Sequence, residues 1–353
     1  MTESHDTFDD LLTRARESSQ AGRLEESAAQ YRELLALQQD NPDIHFELGM
    51  VAFRQRDYPA ASEQLQKAID LDAGRPEFHN SLGIVLSTSG DLAAGARCFE
   101  RVFELDPADA RACNNLGSNF KDQGRTDDAI RSYGKAIEID PRYLAPRVNL
   151  GVLLARSSQL FAAADAYRAA LNIDPEHLTA QFELATVMHL LGHDAEAIDL
   201  FRQVEARDPN YPNLYNNFGL AIAKQANFEL AISYFREAAR KDPASAAPHV
   251  NQGNALQATA EVESAIACYR DALAIRPDHA AAHSCLLLAM NYLPGVSQEQ
   301  LYSEARRFEA QQAVGDTRER DSFDNSRDPN RCCGSAICRQ ISRRTRSVIS
   351  RAS

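Results

Sequence analysis

The sequence predicts an all-α fold, a solenoid of helix–turn–helix hairpins stacked in series. Three regularities predict it. Leucine followed by glycine recurs every 34 residues, at Leu48-Gly49, Leu82-Gly83, Leu116-Gly117 and Leu150-Gly151. Proline keeps the same interval at Pro107, Pro141, Pro175, Pro209, Pro243 and Pro277. Within each period the apolar residues follow helical spacing, as Ala129, Ile130, Tyr133, Ala136 and Ile137 do, and not strand alternation. A period of this length marks one supersecondary unit used repeatedly, because a lone hairpin cannot bury its own apolar face.

With Ala110 as position 1, eight periods run from residue 8 to residue 279. Position 8 is Gly49, Gly83, Gly117, Gly151, Gly219 and Gly253, with Ala15 and Ala185 in the other two. Position 20 is mostly alanine, with Ser27 and Gly95 as exceptions. Small residues at one place on each helix mark where two antiparallel helices cross closely. Position 24 is large, at Tyr31, Leu65, Phe99, Tyr133, Tyr167, Phe201, Phe235 and Tyr269, and can cover the groove presented by the next repeat. Gly22, Gly90, Gly124 and Gly192 stand between the helices, where a left-handed residue is wanted. Asp-Pro pairs close the second helix, since proline has no N–H and its ring clashes with a continuing turn.

This pattern resembles the tetratricopeptide repeat over residues 8–279. The resemblance implies a right-handed superhelical solenoid whose first helices line a concave wall. The first repeat departs from the pattern at Arg14-Ala15 and at Gln39, as terminal repeats of solenoids often do. Residues 1–7 read as a loose end. Residues 280–313 read as a capping helix pair, the first carrying Leu286-Leu287 where Leu-Gly would stand and ending at Pro294-Gly295. The run LLLAMNYLPGVSQEQLYSEARRFE, Leu286 to Glu309, is similar to the segment that joins repeats to catalytic domain in O-GlcNAc transferase and SPINDLY-like glycosyltransferases. Asn291-Tyr292, Pro294 and Glu304-Ala305-Arg306-Arg307 carry that likeness, with Ala305 where the family often has histidine.

Residues 314–353 are hydrophilic without helical or strand period and read as disordered. From residue 332 onward they hold five arginines, three cysteines and no acid. Back-translation offers a further reading. The last base of one codon joined to the first two of the next, from Arg331 to Ser350, can spell LLRIGYLSADF and then HSVSYF. That string resembles the opening strand of the same glycosyltransferase domain, which implies a frameshift near Arg331.

The net charge is −12, so the repeats are not an electrostatic binder of nucleic acid. No apolar run approaches the roughly 20 residues of a membrane span, and the acidic start MTESHDTFDD is no secretory signal. Cytoplasm is therefore the expected compartment. Seven cysteines without framework spacing argue against a secreted disulfide protein. No cofactor or metal is expected, as there is no phosphate loop, ligand set or nucleophile with a base. Cys332-Cys333 with Cys338 lacks a nearby fourth ligand.

Position 6 carries the sharpest binding signal. It is Asn115, Asn149, Asn217 and Asn251, with Glu47, Ser81 and Glu183 in other repeats. An amide side chain both donates and accepts, so a ladder of them can hold an extended peptide backbone without reading its side chains. The tetratricopeptide region of O-GlcNAc transferases resembles this. Asn80, Asn114, Asn216 and Asn254 flank the same wall. The plainer alternative is a surface asparagine bonded to the neighbouring repeat or to water. A clamp for a partner's C-terminal carboxylate is not expected, because no lysine occupies position 5. His45, His79 and His249 share position 4 and read as packing residues; Cys98, Cys113, Cys268 and Cys285 read as buried thiols. The expected function is a non-catalytic scaffold that binds a protein or peptide segment, with a homo-oligomer possible. The alternative is the substrate-recruiting arm of a glycosyltransferase.

Overall fold

The structure, a computed structural model, describes residues 8–313. These form eighteen α-helices and, among the described residues, no strand. The first four hairpins are α1 (Phe8–Gln20) with α2 (Leu24–Leu37), α3 (Pro42–Arg54) with α4 (Tyr58–Leu71), α5 (Pro76–Ser89) with α6 (Leu92–Leu105), and α7 (Ala110–Asp122) with α8 (Thr126–Ile139). The next four are α9 (Leu144–Arg156) with α10 (Leu160–Leu171), α11 (Leu178–Leu190) with α12 (Asp194–Arg207), α13 (Leu214–Lys224) with α14 (Phe228–Lys241), and α15 (Ala247–Ala258) with α16 (Val262–Ile275). The helix α17 (Ala280–Tyr292) follows, packed on α16. All second helices begin at position 17 of their repeat.

The chain divides into two compact units, one ending at Val296 and the other beginning at Ser297. The second contains α18 (Gln298–Ala313). Its start is a reciprocal cap: the Gln300 N–H donates to Ser297 Oγ at 3.2 Å, and the Ser297 N–H donates to Gln300 Oε1 at 2.8 Å. Both expected helices of 280–313 are thus present. The loose end and the tail with its frameshift reading lie outside the described residues.

The core is a line of clusters, one crossing after another. Each of α1–α16 packs on its hairpin mate, and each second helix packs on the first helix that follows it. Ala61, Ala129, Ala163, Ala231 and Ala265 are fully buried at the crossings, as the small-residue pattern requires. The rings at position 24 do more than cover the next repeat. Phe99, Tyr133, Tyr167, Phe235 and Tyr269 each lie against the position-8 glycine of their own repeat, so a Cβ built on Gly117 would stand 2.7 Å from the Tyr133 ring. Phe201 also stacks on Phe218 of the following repeat at 5.6 Å, so one ring closes both interfaces. Burying such a ring contributes about 1.5–3 kcal/mol.

Gly95 stands where other repeats carry alanine, and its neighbours explain it. A Cβ there would stand 2.3 Å from Ser87 Oγ and 3.0 Å from the Asn119 amide. Those groups form a polar chain between repeats: Asn119 Nδ2 donates to Ser87 Oγ at 2.7 Å, and Ser87 Oγ donates to the Gly83 carbonyl at 2.7 Å. Asn119 is 2% exposed, and Gln123 donates to its Oδ1 at 2.6 Å, which leaves the amide satisfied.

The turns show two things that residue spacing does not. The aspartate of each Asp-Pro pair closes a local ring: Asp106, Asp140, Asp174, Asp208 and Asp242 each accept from the N–H two residues on, at 2.9–3.2 Å. The proline between stiffens that turn. Position 15 is left-handed in every repeat. Glycine serves in four, while Arg56, Ser158, Ala226 and Ala260 take φ of 59–65° in the others. The helix start is late in the seventh repeat because Asn213 adopts φ 59° before Leu214.

Candidate functional site

The first helices carry the candidate site. Besides its mate, each of α5, α7 and α9 contacts the next first helix in line, as do α11, α13 and α15, whereas no two second helices approach as closely. The first helices therefore share one continuous face, and positions 5 and 6 of successive repeats meet on it.

The asparagines of that face are knit together across repeats. Asn115 Nδ2 donates to Asn80 Oδ1 at 2.9 Å, Asn149 Nδ2 to Asn114 Oδ1 at 3.0 Å, and Asn251 Nδ2 to Asn216 Oδ1 at 2.8 Å. The rule is simple: position 6 donates to position 5 of the preceding repeat, 35 residues earlier. Asn217 breaks it because Phe182, at position 5 before it, has no acceptor. Its amide turns instead to Thr186 Oγ1 at 3.4 Å, and Asn216 Nδ2 donates to Asn217 Oδ1 at 3.3 Å. All four position-6 asparagines are half-buried, as are Asn80 and Asn216, while Asn114 is 8% exposed. Pairing consumes one donor and one acceptor. It leaves the Oδ1 of Asn115, Asn149 and Asn251 open as acceptors, and the Nδ2 of Asn80 open as a donor. The face thus combines inter-repeat bonding with spare amide capacity.

Asn254 differs. It is exposed, and its Oδ1 accepts from the Tyr269 hydroxyl at 2.8 Å. Ser118 meets the Tyr133 hydroxyl in the same way at 3.1 Å. Position 9 therefore serves the tyrosine of position 24. Where position 9 cannot, the hydroxyl is stranded: Val152 stands there in the fifth repeat, and the buried Tyr167 hydroxyl has no hydrogen bond. The next repeat then carries Glu183 at position 6. Burial holds the Glu183 carboxyl above the usual carboxylate range, with Arg156 pulling it partly back. Tyr31 and Glu47 repeat the arrangement at the start of the chain, where burial, helped by Glu47, pushes the Tyr31 phenol up to about 12. The residue pattern at position 6 alone gave no sign of this coupling.

Two of the position-4 histidines are bonding residues, and His249 is half-buried. The His45 ring joins Gln64 Oε1 at 2.8 Å and the Gln39 carbonyl at 2.9 Å, and His79 reaches the Ala73 carbonyl at 3.1 Å. Cys113 and Cys268 are buried. Cys98 and Cys285 are only half-buried, contrary to the expectation of four buried thiols, because the packing of their helices leaves part of each side chain open. Burial raises the pKa of all four thiols. No helix of the described residues is long and apolar enough to cross a membrane.

A row of helical hairpins with an open face of first helices defines a repeat scaffold of the kind that binds proteins. The tetratricopeptide repeat profile matches residues 12–76, 148–212, 191–248 and 216–280, and a second profile of the same repeat matches 110–143. The chain belongs to the tetratricopeptide repeat family. Its fold is similar to that of the APC/C hetero-tetramer Cut9–Hcn1, with a TM-score of 0.55 at 17% identity over 82% of this chain. The chain spans 57% of that structure's chain. A tetratricopeptide repeat protein from Parabacteroides merdae gives a TM-score of 0.54 at 17% identity, covering 72% of this chain and all of that one. The pilF protein of Pseudomonas aeruginosa gives 0.54 at 18%, covering 60% and 97%. No curated protein matches the chain in sequence.

Proposed function

We propose that this chain is a non-catalytic interaction scaffold whose first-helix face binds an extended segment of a partner protein. The observation that carries this reading is the paired amides of Asn80–Asn115, Asn114–Asn149 and Asn216–Asn251. Each pair is held in place by the inter-repeat bond, so its spare carbonyls and N–H groups are already oriented. An extended backbone presents N–H and C=O groups along its length, at roughly 3.3–3.6 Å per residue, and such groups are matched by amides without regard to side chains. Asparagine is also a poor helix former, so its recurrence mid-helix works against the helices that hold it.

The test is a synthetic random dodecapeptide library passed over the immobilised full chain and over Asn149→Ala/Asn217→Ala. The double variant should retain about tenfold less peptide, with a melting curve close to that of the unaltered chain. Equal retention by the two proteins would remove the ladder from the account.

A second reading has its own observation. The string Leu286–Glu309 supports an arm that recruits substrates for a protein glycosyltransferase whose chemistry resides outside these residues. DNA sequence across the Arg331 codon should then reveal a displaced reading frame for such a domain. A gene without one leaves the scaffold as the sole reading.

A further inference from the structure

A cleft of about 420 Å³ opens beside the first amide pair, between the third and fourth repeats. Asn80 and Asn115 line it, together with Ser81, Glu77, Asp106 and Asp109. Its polar atoms are mostly acceptors. Asp109 uses Oδ1 to cap α7, taking the N–H groups of Arg111 and Ala112 at 2.8 and 3.2 Å. Asp106 uses Oδ1 for the Ala108 N–H at 3.0 Å. Each aspartate is thereby fixed by one oxygen and keeps the other open. The Asn115 amide is turned by its bond to Asn80, so its Oδ1 is open too. Ser81 is 8% exposed, lines the cleft, and its hydroxyl has no hydrogen-bond partner among the described residues.

The charge is equally one-sided. Three carboxylates line the cleft against one guanidinium, Arg111, whose side chain is 79% exposed. Glu77 is held by Arg75 at 2.6 Å and Asp109 meets Arg111 Nε at 3.5 Å through the oxygen that caps α7, which leaves Asp106 as the carboxylate of the cleft without an ion pair. The architecture does not demand this. The corresponding cleft four repeats on, about 260 Å³ beside Asn216, has Lys241 next to Asp242, with Tyr211, Tyr215 and Pro248 in its walls. Equivalent places in the repeat thus carry unlike chemistry.

We propose that the cleft at the Asn80–Asn115 pair is a pocket for a basic side chain, lysine or arginine, of the segment bound along the first-helix face. The proposal rests on the peptide-binding reading given above and adds a specificity to it. The amides hold backbone, which every peptide has. The cleft selects one side chain and so sets where along the face a given segment comes to rest. An ammonium has three donors and a guanidinium five, which suits a wall of open carboxylate, carbonyl and hydroxyl oxygens.

The variant that tests this is Asp106→Asn/Asp109→Asn. Asparagine keeps the turn and the helix cap that both aspartates form, so the fold is preserved while two charges are removed. The dodecapeptide library, retained on the full chain in low salt and sequenced, should be enriched in lysine or arginine at one position. The double variant should lose that enrichment and bind a selected peptide about tenfold more weakly. A peptide with methionine in place of its selected basic residue should bind the two proteins alike. Retained peptides with no basic preference, or with the same preference on the double variant, overturn the pocket and leave the ladder standing. Failure of the unaltered chain to retain any peptide removes the ladder and the pocket with it.

Discussion

Gly151→Val lowers the thermal midpoint of the repeats, at a cost of about 3 kcal/mol. A Cβ at this site would lie 2.6 Å from Cε1 of Tyr167 and 2.8 Å from two further ring atoms. Overpacking of a filled core typically costs 1–3 kcal/mol, and valine adds a branch at the closest point of contact. The ring has nowhere to go, because Tyr167 is fully buried. Gly134→Ala is the control. That glycine sits within α8, a Cβ there meets nothing within 4 Å, and replacing it should stabilise the helix by about 1 kcal/mol. Circular dichroism melts of the two variants decide the matter. A Gly151→Val chain that melts with the unaltered one would mean that the rings do not rest on the glycines.

Tyr167→Ala is expected to cost about 3–5 kcal/mol, the range for emptying a buried aromatic site. Tyr167→Phe should behave in the opposite sense. The hydroxyl is buried without a hydrogen bond, and an unsatisfied buried polar atom costs about 1–3 kcal/mol, so its removal should be neutral or stabilising. Phe99, Phe201 and Phe235 already occupy the same place in other repeats. Tyr133→Phe supplies the contrast, since it discards the contact with Ser118 at 3.1 Å and should lose about 1 kcal/mol. Denaturant midpoints measured on the three variants give the ranking. If the two phenylalanine variants shift by equal amounts in one direction, position 9 does not serve the tyrosine as described.

These contrasts show how far residue patterns reach. Leu-Gly and the small residues of position 20 locate the helix crossings because sterics there depend on residue size alone. The period does the same for the hairpin boundaries, and every second helix begins where it indicates. Gly95 shows the limit. As a pattern it is a departure from alanine; in the fold it makes room for Ser87 and Asn119, which come from two different repeats. The four non-glycine residues at position 15 are a similar case. Arg56, Ser158, Ala226 and Ala260 have no intrinsic preference for a left-handed backbone, and the turn they occupy is imposed by the helices on either side.

The candidate site divides along the same line. Asparagine at position 6 was visible as a recurrence, and the first helices were identifiable as its carriers. The recurrence did not disclose that Asn115, Asn149 and Asn251 donate to the preceding repeat, that Asn217 must turn to Thr186, or that Asn254 is held by Tyr269. Nor did it reveal the acidic cleft, whose aspartates look like ordinary turn and cap residues when taken singly.

By itself the amino-acid sequence determined the all-helical class, the 34-residue unit, the places where helices cross and the row of amides. Each of these depends on residue size, polarity and spacing within one hairpin, and so is local. Only the tertiary structure decided which amides bond to one another, which tyrosine hydroxyl is left without a partner, and which carboxylates share a cleft. The amide and hydroxyl bonds join groups 15 to 35 residues apart at about 3 Å, and the cleft gathers residues of two repeats, so each is set by how the helices stack on one another.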